Sequence, residues 1–191
     1  MLHRFLSETR FYDFLLTVDR DLAEEARGEC CGCGGRLHCA DYPRKPRGGP
    51  ADLSQEHNQR FSFCCARHGC RQRRTPPSVR FLGRKVYFGA VVVIVTAMLH
   101  GPNSRRVTEL QRILGAGWHT IDRWRRWWLD VFAESPFWRA VRGHFAVPVD
   151  MGRLPYSLWA RFGGDAEQRL VSTLRLLSPM STNAPSVIAP G

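Results

Sequence analysis

All seven cysteines of this 191-residue chain lie in one short stretch, between Cys30 and Cys70. An odd, clustered set with no apolar signal segment before it is typical of metal ligation in a reducing compartment rather than of a disulfide framework. Structural zinc sites contribute on the order of 10 kcal/mol to folding, which can replace a hydrophobic core. We therefore expect residues 29–77 to form a metal-dependent unit that loses its fold when the metal is removed.

Four cysteines form two pairs with ligand-like spacing. Cys30 and Cys33 are separated by two residues and followed by glycines, so one tight turn can aim two thiolates at one ion. An alternating segment, residues 61–65, predicts a strand that delivers Cys65, and a four-residue loop returns Cys70. The sequence thus predicts Zn²⁺ bound by Cys30, Cys33, Cys65 and Cys70.

Other nearby side chains leave this ligand set open. Any one of five residues could replace a predicted ligand: Cys31, His38, Cys39, Cys64 and His68. Cysteine is often a small buried apolar residue, which is the simpler interpretation of Cys31, Cys39 and Cys64. No His-x-Glu element precedes either cysteine pair, so a structural zinc is favoured over a catalytic one.

The charge balance favours an anionic partner. The chain has 28 Lys and Arg residues against 17 Asp and Glu, a formal net charge of +11, and arginine dominates the basic set. The planar guanidinium group suits phosphate and guanine edges better than an ammonium does. Composition therefore indicates a nucleic acid as partner without specifying which one.

Apolar periodicity predicts helices on both sides of the cysteine region. The predicted helices cover residues 2–26, 83–100, 104–114, 119–132 and 165–177, and residues 179–191 are expected to be disordered. The run from Val86 to Leu99 is shorter than the roughly 20 residues of a membrane-spanning helix and is read as a core helix.

The helices at 104–114 and 119–132 have the spacing of a helix-turn-helix. Leu110 and Leu114 would face Ile121 and Trp124 across a turn that begins at Gly115. Trp124, Trp127 and Trp128 are interpreted as core residues, with Trp127 the one candidate for base stacking. An ordinary helical hairpin with a solvated arginine face is the alternative.

The predicted DNA contacts fall into three groups. His119, Thr120, Arg123 and Arg126 lie on the outer face of the second helix and are expected to contact bases, with Asp122 orienting a neighbouring arginine. The remaining contacts are expected from the preceding helix and the arginine-rich segment: Arg105, Arg106, Arg112, Arg71, Arg73 and Arg74.

The predicted fold is mainly α with a small β zinc ribbon. Its parts are an N-terminal amphipathic helix (1–28), a zinc ribbon (29–77), a trihelical helix-turn-helix domain (78–135), a C-terminal helical extension (136–178) and a disordered tail (179–191).

Residues 29–130 resemble the N-terminal DNA-binding region of bacterial insertion-sequence transposases. The resemblance rests on the two cysteine pairs, Thr75-Pro-Pro77, and a helix pair that ends in Thr120-Ile-Asp-Arg-Trp124. In those families a ribonuclease-H-like domain with three spaced acids follows. Here the acids at Glu134, Asp150, Asp165 and Glu167 are too close together for that fold, and a His-hydrophobic-His pair is absent.

The predicted function is therefore that of a DNA-binding protein, not an enzyme. The resemblance implies a transposon-associated protein that recognises duplex DNA and works with a separate transposase or recombinase. It implies a cytoplasmic, nucleoid-associated location in bacteria and no membrane partner, and the oligomeric state stays open. The alternatives are an RNA-binding or ribosome-associated zinc ribbon and, less favoured, a small transposase or nuclease.

Overall fold

The computed structural model describes residues 2–83, 85–98 and 116–182. In this part of the chain the fold is mainly helical with a small antiparallel β part, as predicted. The predicted first helix of the helix-turn-helix, at 104–114, and most of the predicted disordered tail, from residue 183 onward, lie outside the described residues.

An amphipathic helix opens the fold. A 3-10 turn, Leu2–Ser7, leads into α1, Thr9–Gly28. The apolar face of α1 buries Phe11, Tyr12 and Leu15 in the main core, whereas Ala23 and Ala26 near its C-terminal end pack against the cysteine region. The helix predicted over 2–26 is present from Thr9 onward, whereas residues 2–7 form a separate 3-10 turn, and α1 contributes to both hydrophobic clusters.

Short strands make up the β part. They are β1 (Leu37–Cys39), β2 (Tyr42–Pro43), β3 (Gln59–Arg60), β4 (Phe63–Cys65) and β5 (Arg73–Arg74). One antiparallel sheet has the order β1-β4-β5, and β2 pairs with β3 in a second. In the first sheet Leu37 pairs with Cys65, and Cys64 pairs with Arg73, so β4 is the central strand.

A buried helix lies in the main core. Every residue of α2 (Gly89–Met98) from Gly89 to Ala97 is buried, which fits a helix that is apolar on all sides. The predicted helical start at residue 83 is wrong. The segment before α2 forms isolated β-bridges instead, one local between Phe81 and Phe88 and one between Tyr87 and the distant Arg47.

The helix predicted over 119–132 is present in two parts. It begins as α3 (Trp118–Arg126) and continues as a π-helical segment, Trp127–Phe132. Ile121, Trp124 and Trp128 are buried, which confirms their interpretation as core residues. The Trp128 indole N–H donates to Thr96 Oγ1 of α2 at 3.0 Å and so holds the two helices in register.

Three further helices pack in the main core of the described part of the chain: α4 (Pro136–Val141), α5 (Tyr156–Trp159) and α6 (Ala166–Leu177). The sequence predicted α6 but not the two shorter helices. A reciprocal capping box starts α6, since Asp165 accepts from the Gln168 backbone N–H and the Gln168 side chain accepts from the Asp165 N–H. Four short 3-10 turns lie at Gln55–Asn58, Arg142–His144, Met151–Arg153 and Ser178–Ser181.

A fully buried ion pair joins α1 to the segment that precedes α2. The Arg80 Nε–H donates to Asp19 Oδ2 at 2.7 Å, and both side chains are completely buried. Asp19 also accepts from Ser78 Oγ and from the Val79 backbone N–H, at 2.5 and 2.7 Å. The guanidinium group of Arg80 further donates to the carbonyl oxygens of His57 and Gln59. This network fixes the loop before β3 against the helical core.

Candidate metal centre and basic surface

Four cysteine sulfurs converge beside the small sheet. Cys31, Cys33, Cys65 and Cys70 have Sγ atoms that all lie within 4.8 Å of one another. The Cys31–Cys70 and Cys33–Cys65 sulfur pairs are 3.7 and 3.5 Å apart. Tetrahedral zinc with Zn–S bonds of about 2.3 Å requires sulfurs about 3.8 Å apart. The observed spacing therefore fits one tetrahedral ion, and four thiolates are a donor set of structural zinc sites.

Two loops present these sulfurs. In the first, the Gly34 N–H donates to the Cys31 carbonyl at 2.7 Å and the Cys31 N–H donates to the Gly35 carbonyl at 3.0 Å. In the second, which joins β4 to β5, the Cys70 N–H donates to the Arg67 carbonyl at 3.1 Å. Both turns are closed by backbone hydrogen bonds, which orient the cysteines that the turns carry toward one another.

A glycine packs directly against the cluster. A Cβ atom added at Gly35 would lie 2.6 Å from Cys65 Sγ and 3.3 Å from Cys33 Sγ. Gly32, three residues earlier, has nothing within 4 Å of the same added atom. Glycine is therefore required at position 35, because the backbone there approaches the cysteine sulfurs too closely for a side chain.

The structure corrects one predicted ligand. Cys30 is exposed and lies outside the cluster, and Cys31, only 9% exposed, takes its place. A two-residue separation suggested Cys30, but adjacent side chains point in different directions. The hydrogen bonds that close the turn join Cys31 to Gly34 and Gly35, and its sulfur lies with those of Cys33, Cys65 and Cys70.

The remaining alternative ligands point elsewhere. Cys64 and Cys65 are neighbours on β4, so their side chains lie on opposite faces of the sheet. Cys64 Sγ donates to the Arg71 carbonyl, and Cys39, His38 and His68 are exposed. Among the described residues, no other group of His, Cys, Asp or Glu side chains could hold a metal ion.

The thiols of the cluster differ in acidity. The Gly35 backbone N–H and the neighbouring thiols of Cys70 and Cys65 lower the pKa of Cys33 to about 6. At Cys65 a backbone hydrogen bond from Arg67 favours the thiolate, but burial and the neighbouring sulfurs outweigh it and raise its pKa to about 12. The cluster thus carries one thiolate easily and resists a second. A divalent cation would supply the charge that lets the other sulfurs ionise.

Arginines surround the two metal loops. Arg36, Arg67, Arg71 and Arg73 are exposed, and Arg67 Nη1 donates to the Cys33 carbonyl at 2.7 Å. Arg73 lies over the Tyr42 ring, 5.9 Å from its centroid. Of the contacts predicted in this segment, Arg71 and Arg73 thus remain accessible, whereas Arg74 is half-buried and paired with Glu29.

The predicted base contacts on α3 are accessible to different degrees. His119, Arg123 and Arg126 are exposed, and Thr120 is half-buried. Arg126 pairs with Asp122 one turn away at 2.6 Å, the arrangement in which a carboxylate orients an arginine. The other predicted contacts, Arg105, Arg106 and Arg112, lie outside the described residues, as do Leu110, Leu114 and Gly115 of the predicted turn.

Sequence reasoning missed a pocket beside α3. A cavity of about 620 Å³ lies between α3 and the segment before α2. Its walls include Thr120 and Arg123 of the predicted DNA contacts, together with Arg47, Lys85 and Trp127. No sequence pattern indicated this pocket, because Lys85 and α3 are more than 30 residues apart in the chain.

Comparison of the chain with models of known protein families, with curated proteins and with solved structures finds no match. Among the described residues, no helix has the length and apolar character needed to cross a membrane.

Proposed function

We propose that this chain is a zinc-dependent DNA-binding protein. The observation that carries the proposal is a four-sulfur cluster with tetrahedral spacing, bordered by exposed arginines. Zinc at this position would stabilise a β unit that has few apolar residues of its own, and the unit would then hold its arginines against a phosphate backbone.

The charge distribution supports an anionic polymer as the partner. Arg71 lies in the loop that joins β4 to β5, Arg73 is the first residue of β5, and Arg123 and Arg126 are exposed on α3. Phosphate contacts from such side chains release counterions and provide sequence-independent affinity. The outer face of α3 adds groups that can donate to guanine N7 and O6. We therefore assign base recognition to α3 and backbone contact to the metal loops.

The sequence resemblance extends this proposal to transposition. In that setting the protein would recognise a terminal or promoter sequence of a mobile element and act with a separate transposase or recombinase. We therefore expect the selected DNA sequence to occur at the ends of a mobile element or in its promoter.

The proposal is tested by selecting bound sequences from a random duplex pool at near-physiological salt, with zinc measured on the same preparation. We expect one zinc per chain and an enriched duplex sequence. A competition titration against structured RNA serves as the second arm. Stronger binding to RNA would replace duplex DNA with RNA as the partner, and binding to neither would refute the proposal.

Arginine variants separate base contact from backbone contact. Arg123→Ala should cost about 1–3 kcal/mol on the selected duplex and less on random DNA, as expected for a base contact. Arg71→Ala should weaken both duplexes alike and lower the salt dependence of binding. Arg125→Ala, on the exposed surface of the same helix but outside the predicted set, is the matched control. Equal losses on both duplexes for Arg123→Ala would mean that α3 reads no bases.

A further inference from the structure

The cavity beside α3 combines positive charge with aromatic walls. Arg47, Lys85 and Arg123 contribute the charge, and no carboxylate is among the described residues that line the cavity. The remaining walls are largely apolar and are formed by Val86, Tyr87, Trp124, Trp127 and Met180, with Thr120 adding a hydroxyl group. Such a lining suits a ligand that has an anionic end and a flat apolar end.

Lys85 has an aromatic ring as its partner instead of an acid. Its Nζ lies 3.3 Å from the centroid of the Trp127 ring, and no carboxylate pairs with it in the part of the chain that the structure describes. Burial lowers the pKa of Lys85 to about 7. A phosphate group in the cavity would provide the missing counter-charge and favour the ammonium form.

The cavity walls are held in place by other contacts. The Lys85 carbonyl accepts from Arg44 Nη2 at 3.1 Å, and the Arg47 N–H donates to the Val86 carbonyl at 2.8 Å. Tyr87 and Trp124 meet edge to face with ring centroids 4.9 Å apart. These contacts fix the positions of the cavity walls relative to one another.

We propose that this cavity binds one unpaired nucleotide of a nucleic-acid strand, with its phosphate on Lys85 and Arg47 and its base beside Arg123 and the aromatic walls. The proposal rests on the proposed function, because α3 would bring the strand to the cavity. The volume of about 620 Å³ lies in the range of ligand pockets and accommodates base, sugar and phosphate together. Thr120 and Arg123 would then contact a base that has left the duplex rather than the edge of a paired one.

The test compares two duplexes of one sequence, one fully paired and one with a single extrahelical nucleotide. Binding is measured by fluorescence anisotropy for the wild type, for Lys85→Gln and for Lys45→Gln. Lys45 is exposed and is the only other lysine, so it controls for loss of one positive charge. Equal zinc content and equal circular dichroism spectra establish that the variants are folded.

We expect the wild type and Lys45→Gln to bind the bulged duplex about tenfold more tightly than the paired one, the scale of stacking one base on aromatic side chains. Lys85→Gln should lose this preference and keep its affinity for the paired duplex. Equal binding of both duplexes by the wild type overturns the inference and leaves the proposed function intact.

A second arm uses deoxyadenosine monophosphate alone, followed by tryptophan fluorescence. If neither duplex binds, the proposed function fails, and this titration decides the inference by itself. Binding that is lost in Lys85→Gln, retained in Lys45→Gln and absent with deoxyadenosine supports the nucleotide site. No response, or the same response in both variants, overturns it.

Discussion

Replacement of Gly35 by alanine tests the geometry of the sulfur cluster. The new Cβ would lie 2.6 Å from Cys65 Sγ, whereas ordinary contacts begin at 3.4 Å, so the two atoms must separate by 0.8 Å to reach ordinary contact. Metal sites tolerate ligand displacements of about 0.2 Å. The required movement is several times larger and acts on a fully buried sulfur on the central strand of the sheet.

We expect Gly35→Ala to weaken zinc binding by about 10- to 100-fold, the range seen when groups behind metal ligands are changed, which corresponds to about 1.4–2.8 kcal/mol. Gly32→Ala is the matched control, because it places the same methyl group in open space within the same loop. Competition with a chromophoric zinc chelator gives both dissociation constants. Equal constants for Gly35→Ala and Gly32→Ala would refute the assignment of this loop to the metal site.

Three further predictions concern the stability and metal binding of the chain. Asp19→Asn leaves the buried guanidinium of Arg80 without its counter-charge and should lower the free energy of unfolding, measured by thermal unfolding, by about 3–5 kcal/mol. Asp21 is exposed on the same helix, so Asp21→Asn should change little. A cost below about 1 kcal/mol for Asp19→Asn would contradict the buried pair. Zinc affinity should fall as pH falls below 8, because protons compete for sulfurs such as Cys65, whose pKa is raised to about 12. A zinc dissociation constant that does not change between about pH 8 and pH 6 would count against thiolate ligation. Removal of the metal by a chelator should make residues 29–77 sensitive to protease while α2 stays protected, because little apolar surface is buried in the cysteine region. Unchanged resistance of residues 29–77 to protease would show that the metal is not needed for folding.

Local patterns in the sequence predicted the elements that depend on local interactions. The apolar periodicity that predicted α1 and α6 acts within a single helix, and both helices are present. The strand that delivers Cys65 also follows from alternation, although it begins at Phe63 rather than at Phe61. The spacing of the cysteines in the sequence likewise predicted one site that contains Cys33, Cys65 and Cys70, as observed.

Features that depend on distant contacts could not be predicted. The choice of Cys31 over Cys30 is made by two backbone hydrogen bonds that orient the turn, and residue spacing does not encode them. The later start of α2 arises because Tyr87 bridges to Arg47, about 40 residues earlier. The pocket around Lys85 has the same origin, since α3 and the segment before α2 meet only in the folded chain.

The most direct test of the metal site is the zinc content per chain of Cys31→Ser and Cys30→Ser, purified in parallel with the wild type. The structure predicts one zinc per chain in the wild type and in Cys30→Ser, and a loss of zinc in Cys31→Ser. Loss of zinc in Cys30→Ser with retention in Cys31→Ser, or absence of zinc from the wild type, would contradict the account.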